Sequence, residues 1–217
     1  MSFGLNRGRE LQYEGYGLLR EDLPAFEEGT FDPRSLFEHS EYPFELEIGS
    51  GKGTFLVQQA VLQPETNFLG IEWAGEFFRY AADRIRRHAL KNVRILHDDA
   101  TEFLRYRMPD GICQVVHLYF SDPWPKSRHH KRRVIQDESL KQFYRVLAPG
   151  GELRLVTDHD ELWRWYEEHA QRHGDLFERR AFVAPKSAGD GEFVGSNFER
   201  KFQREGRDFQ AMSLVRT

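Results

Sequence analysis

Glu47, Glu72, Asp99, Asp122 and Asp158 each stand at or near the point where an apolar, strand-like run gives way to a turn. Carboxylates placed this way can hold the hydroxyls, amines or cationic centres of a ligand lying along one edge of a sheet. Glu47 has the most informative setting, the stretch 44–54, FELEIGSGKGT. Phe44–Ile48 reads as a buried strand, Gly49, Gly51 and Gly53 as a bend, and the residues from Phe55 to about Leu62 as a helix. A strand that runs through glycines into a helix builds a ligand site at the carboxyl edge of a parallel sheet. Gly49 and Gly51 allow a sharp turn and let a ligand lie against bare main chain.

The ligand can be narrowed. A P-loop fails, because Gly53 follows Gly51-Lys52 and Leu46 occupies the place of its first glycine. The dinucleotide pattern G-x-G-x-x-G fails at Thr54. Glu47, two residues before Gly49, sets a negative charge where a pyrophosphate would lie. A phosphate-free cation is attracted instead, and S-adenosylmethionine, with its sulfonium and amino groups, fits. The bland alternative makes Glu47 a surface residue of an edge strand.

Glu72, about twenty residues past the glycines, is placed to accept from both hydroxyls of a ribose, a position that nicotinamide-binding folds also use. Asp99 either accepts from an adenine amine or caps the helix that starts at Ala100. Asp158 is by default a helix cap and by position a substrate contact. Asp122 lies in Ser121-Asp122-Pro123-Trp124-Pro125-Lys126, where two prolines stiffen the chain around a tryptophan. Trp124 is either a platform on which a base stacks or ordinary packing.

The block 126–133 then carries Lys126, Arg128, Lys131, Arg132 and Arg133 with no acidic residue, +5 in a chain of net charge -4. Such a run is commonly a solvated face, but here it borders the carboxyl edge of an otherwise acidic protein, which favours phosphate contacts and a nucleic-acid partner. His129-His130 lacks a third ligand at metal-binding spacing, so no metal is expected. Ser196-Asn197-Phe198-Glu199 reads as a capping box, with Ser196 at the cap and Glu199 three residues on. The same hydroxyl and carboxylate could also read a guanine edge, with capping the default reading.

These residues need a frame, and the pattern supplies one. Strands are expected at Phe44–Ile48, 67–73, 93–96, 112–120, 152–157, 177–183 and 209–215. Helices are expected at 55–62, 75–89, from about 100, at 134–147, 160–173 and 197–204. Alternating strands and helices mean an α/β, doubly wound, mostly parallel sheet. The run 112–120, ICQVVHLYF, has the continuous apolarity of a central strand. The 217 residues suit one domain, taken as 44–217, after an acidic, glycine-broken arm at 1–43. That arm reads as loosely packed, or as a flap over the ligand. One cysteine, Cys113, excludes an internal disulfide and a cysteine-based metal cluster. There is no signal-peptide pattern and no apolar run of membrane length, so a cytoplasmic protein is expected.

The set LEIGSGKG, GIEW, HDDA, FSDPWPKSRHHKRR, TDHD and SNFE resembles the bacterial tRNA (guanine-N7)-methyltransferases over roughly 45–202. The SDPWPK-to-KRR block is the specific part; the glycine motif alone resembles class I methyltransferases at large. The resemblance implies a Rossmann-like, seven-stranded sheet with an antiparallel last strand, and methylation of N7 of guanine 46 in the tRNA variable loop from S-adenosylmethionine. It implies cofactor contacts at Glu47, Gly49, Gly51, Glu72, Asp99 and Asp122, with Asp122 also at the active site. It implies substrate contacts at Lys126, Asp158, Ser196, Asn197, Phe198 and Glu199, and an RNA-facing segment of Arg128, Lys131, Arg132 and Arg133. Ser196 stands where threonine is common and keeps the hydroxyl. The rivals are a methyltransferase for another nucleobase or a small molecule, an RNA-binding protein with an inert cofactor fold, and a nicotinamide oxidoreductase. The sequence leaves the choice between monomer and homodimer open.

Overall fold

The apolar run expected at the centre does lie there. In the computed structural model, which describes residues 10–25 and 29–217, β5 (Cys113–Tyr119) is flanked by β2 (Phe44–Ile48) and β6 (Leu147–Thr157). Outward from β2 come β3 (Asn67–Ile71), β4 (Val93–His97) and β1 (Gly17–Leu19), all parallel. Outward from β6 come β8 (Gln210–Arg216) and β7 (Phe177–Arg180), with β8 antiparallel to both neighbours. Leu46, Phe68, Val116 and Leu155 are wholly buried, as residues of strands covered on both faces must be.

One face of the sheet is covered by α1 (Thr54–Leu62) and α2 (Gly75–Arg87), which bury Leu56, Ala81 and Ile85. The other is covered by α3 (Ala100–Tyr106), α4 (Asp137–Val146) and α5 (Asp160–Arg172), which bury Phe103, Phe143 and Tyr166. α6 (Asn197–Arg204) stands before β8. Among the described residues no helix is long and apolar enough to cross a membrane, and no cluster of His, Cys, Asp or Glu has the makings of a metal site.

The expected α/β class and reversed last strand are present, but among the described residues the sheet has eight strands instead of seven. The addition, β1, comes from the segment read as a loosely packed arm. Gly17 makes it possible: a Cβ there would come within 2.8 Å of Phe78 on α2. Leu23 and Phe37 of the same segment are buried in the core. Pro149-Gly150-Gly151, between the helix expected at 134–147 and the strand expected at 152–157, lies inside β6. Gly150 takes a φ of 74°, a Cβ on Gly151 would lie 2.8 Å from the Cys113 carbonyl oxygen, and the β5–β6 register shifts at this point. The glycines absorb a bulge that no side chain could occupy.

Because β2 to β6 are parallel, their carboxyl ends share one edge. The turns that follow them bring Gly49, Glu72, Asp99, Asp122 and Asp158 to it.

Candidate active site

At the end of β2 the main chain turns through Gly49, Gly51 and Gly53, with φ of 76°, 54° and 64°. The bend is pinned from the next strand. Gly49 N donates to Ile71 O at 2.8 Å. Gly51 N donates to Glu72 Oε2 at 2.7 Å, and Ala74 N to Glu72 Oε1 at 2.8 Å. Glu72 is thus the clamp of the glycine bend, with one further lone pair on each oxygen. Burial raises its carboxyl pKa, and those two hydrogen bonds oppose the rise. Trp73, next along, is 70% exposed at the same edge.

A cavity of about 440 Å³ opens over the bend. Its wall includes Glu47, Gly49, Ser50, Phe55, Phe77 and Tyr119, with Phe120 and residues of α6 closing it. Glu47 is buried, and its Oε2, like Ser50 Oγ, finds no hydrogen-bond partner among the described residues. Burial pushes its carboxyl up to about 8; the Ser50 hydroxyl opposes this and the Glu72 charge adds to it. A central strand and a buried side chain rule out the surface reading of Glu47. An unpaired buried carboxylate is costly, and a ligand bringing hydrogen-bond donors and positive charge removes that cost. The amino and sulfonium groups of S-adenosylmethionine meet this requirement; a pyrophosphate does not.

Asp99 caps α3, accepting through Oδ1 from Thr101 N at 2.8 Å and Glu102 N at 3.1 Å. Its Oδ2 remains available, so capping and ligand contact are compatible. Asp122 is exposed, and its charge reaches Glu72. It sits between two non-glycine residues of positive φ, Phe120 at 53° and Trp124 at 42°. Left-handed backbone at such residues costs about 1–3 kcal/mol each, and such strain gathers at functional sites. Ser121 Oγ, hydrogen-bonded to the Tyr166 hydroxyl at 2.8 Å, ties the loop to α5. Trp124 is half-buried, stacked on His129 at 5.7 Å, with the Arg132 guanidinium 4.9 Å from its ring centre.

Three expectations need correction. Arg133 does not face outward with Arg128, Lys131 and Arg132. It is buried, donating to Pro123 O at 2.8 Å and Glu161 at 2.6 Å, with its guanidinium 4.8 Å from the Trp165 ring. It fastens the basic loop to α5. Glu199 is also fully buried; its carboxylate accepts from the main-chain N–H groups of Phe193, Val194 and Gly195, so it cannot read a guanine edge in this arrangement. Ser196 is the cap, accepting from Glu199 N at 3.1 Å. Asp158 caps nothing: His159 holds that position on α5, and Asp158 pairs with Arg207.

Ser196, Asn197 and Phe198 do reach the cavity. Asn197 donates to Thr54 Oγ1 at 2.6 Å, and the Phe198 ring lies 3.3 Å from where a Gly51 Cβ would be. Lys126 is exposed at the N-cap of the short 3-10 helix Ser127–Arg132. A buried polar chain beneath the cavity had gone unread. His117 contacts Glu45 Oε2 through Nε2 at 2.8 Å and the Tyr119 hydroxyl through Nδ1 at 2.6 Å. Burial lowers the His117 pKa, with Glu45 opposing, and raises that of Tyr119. The signal was two polar-capable rings two residues apart within an apolar strand.

An open parallel sheet with a reversed strand, a glycine bend and an unsatisfied carboxylate under a cavity define a class I S-adenosylmethionine-dependent methyltransferase. Solved structures share the fold at low identity. The aminoglycoside resistance methyltransferase NpmB1 aligns with TM-score 0.60 and 20% identity over 86% of this chain and 95% of its own. The 30S ribosomal A1408 methyltransferase from an uncultured bacterium aligns with TM-score 0.58 and 12% identity over 85% and 90%. Residues 41–212 match a family model described as "Putative methyltransferase". The tRNA (guanine-N(7)-)-methyltransferase of Agrobacterium fabrum is 34% identical over 99% of this chain and 94% of its own length. That of Alkalilimnicola ehrlichii is 36% identical over 95% and 82%. The chain belongs to the tRNA (guanine-N(7)-)-methyltransferase family.

Proposed function

We propose that this protein methylates N7 of guanine 46 in the variable loop of tRNA, and that it does so in the cytoplasm. The observation that carries the reading is the cavity itself: below it a buried Glu47 carboxyl whose Oε2 has no hydrogen-bond partner among the described residues, and beside it the Phe120–Trp124 loop leading into exposed Arg128, Lys131 and Arg132. A cation site next to a polyanion site suits a sulfonium donor and a nucleic-acid acceptor. The relatives' names supply the tRNA and the N7 atom. Position 46 rests on the family resemblance.

When bound, S-adenosylmethionine supplies a methyl group on a positively charged sulfur. Glu47 would hold the cofactor's cationic groups, and Glu72, which keeps the glycine bend in shape, would offer its remaining lone pairs to the ribose. Asp99 offers Oδ2 to the adenine. Phe55, Phe77, Phe120 and Phe198 give the cavity an apolar wall. Guanine N7 carries a free lone pair at neutral pH, so no general base is needed, and no histidine or cysteine is among the described residues that line the cavity. Alignment of the reactants is the main task, and it can lower a barrier by about 7–11 kcal/mol in favourable cases. The methylated purine would carry positive charge, and the Asp122 carboxylate would stabilise it electrostatically. Lys126, Ser196 and Asn197 orient the nucleotide, and Arg128, Lys131 and Arg132 contact its phosphates.

The test is incubation with unmodified tRNA and labelled cofactor, followed by borohydride–aniline cleavage. Cleavage at guanine 46 is expected. Cleavage elsewhere overturns the position, and label without cleavage puts the methyl on another atom.

A further inference from the structure

The cavity has more positive charge than its cofactor can use. Lys52, Arg200, Lys201 and Arg204 all line it, against Glu47 as the one carboxylate of the lining residues. The cofactor has a single carboxylate and two cationic centres, so at most one of these side chains serves it. Arg200 is already held by Glu192, at 2.7 and 3.2 Å. Lys52 stands in the glycine bend, its Nζ 5.7 Å from the centre of the Tyr80 ring. Of the four, Lys201 and Arg204 are exposed and one helical turn apart on α6, hence neighbours on one face. The contact of Lys201 with Glu205 is 3.8 Å long and solvent-exposed, a pairing of little strength. A helix dipole favours cations in a last turn, but it does not select the face that borders a cavity.

This face is joined to the basic loop of residues 126–132. Phe202, between Lys201 and Arg204, packs edge-on against Phe120 at 5.9 Å. Phe120 is the residue from which the Asp122 loop departs. Two basic segments some seventy residues apart in sequence are therefore linked through one aromatic contact: α6 lines the cavity, and the basic loop follows Phe120, which lines it too.

We infer that Lys201 and Arg204 on α6 form a second phosphate-binding surface, which grips the RNA backbone beside the target nucleotide independently of Arg128, Lys131 and Arg132. The inference rests on the tRNA reading above. Its ligand class is a polynucleotide backbone, not a base, so the contribution is to affinity and placement and not to sequence choice.

The experiment compares wild type, Lys201→Ala/Arg204→Ala, and a control, Lys91→Ala/Lys141→Ala, which removes the same charge from the amino edge and from α4. Binding of an unmodified tRNA transcript is measured across salt concentrations, and S-adenosylmethionine binding by calorimetry. The α6 variant should bind tRNA about tenfold more weakly at 0.1 M salt, with the log–log salt slope shallower by about 1–2. Its cofactor affinity should stay within twofold, and Lys201→Arg/Arg204→Lys should restore tRNA binding. Unchanged tRNA affinity and slope, an equal loss in the control, or a matching loss of cofactor affinity overturns the inference. Failure of the wild type itself to bind and methylate tRNA refutes the proposed function instead.

Discussion

Replacing Glu47 with glutamine tests the site at its most loaded point. Glu47 is buried with an unpartnered oxygen, and its carboxyl pKa rises from 4.5 to about 8. A pKa raised by folding means that the folded protein holds the proton more tightly than the unfolded chain. The stability that goes with the protonated form is complete below pH 4.5 and is lost as pH rises through about 8. At roughly 1.4 kcal/mol per pH unit, the ionised carboxylate destabilises the ligand-free protein by about 5 kcal/mol at the alkaline end. A cationic ligand must therefore displace a proton at pH 7. Calorimetry in buffers of different ionisation enthalpy should show close to one proton released from Glu47 per S-adenosylmethionine bound. Below pH 8 the wild-type affinity should improve by up to about tenfold per pH unit relative to Glu47→Gln, in which that site no longer titrates. The ligand's own amino group titrates nearby, so the difference between the two proteins is the quantity to read. Without ligand at pH 8.5, Glu47→Gln should melt several degrees higher than wild type, and at pH 5 the two should coincide. Parallel pH curves for the two proteins, or the same proton release from both, would refute the assignment of Glu47 as the cation-binding carboxylate.

Asp122→Asn should reduce turnover about a hundredfold with cofactor affinity retained, as measured by single-turnover methyl transfer; near-normal turnover removes the electrostatic role. Arg128→Ala/Lys131→Ala/Arg132→Ala should weaken tRNA binding and flatten its salt dependence by about 2–3 in slope, with unchanged melting temperature. Arg133→Ala should do the opposite kind of damage, costing about 1–3 kcal/mol in urea unfolding, because two main-chain carbonyls lose a buried donor and the Trp165 ring loses its cover. Glu199→Gln should increase hydrogen exchange at the amides of Phe193, Val194 and Gly195 and raise the cofactor KM, without altering the preference for guanine.

Local signals in the sequence proved dependable where the chemistry was local. The glycine bend, Glu47 beside it and the strand–helix alternation are written in adjacent residues, and the fold follows them. Asp99 as a cap and Ser196 as a cap were legible for the same reason. Arg133 was not, because it has the same residue type as its neighbours. Its burial depends on Trp165 and Glu161, about thirty residues on, coming to meet it. Glu199 reaches back to three amides through a loop whose path the sequence does not show. β1 is three residues long in a polar, glycine-broken setting, too short to carry a periodicity. It forms because β4 offers it a complete row of main-chain partners.

That short strand has a consequence for how the molecule keeps to itself. β1 pairs with the flank of β4 that would otherwise be open, register Gly17 to Ile95 through Leu19 to His97. A bare flank of unsatisfied amides beside buried Ile95 and Leu96 is an invitation to neighbouring chains. A version shortened past residue 20 would be expected to keep its bend and its cavity and yet come off a sizing column as oligomers and precipitate on concentration.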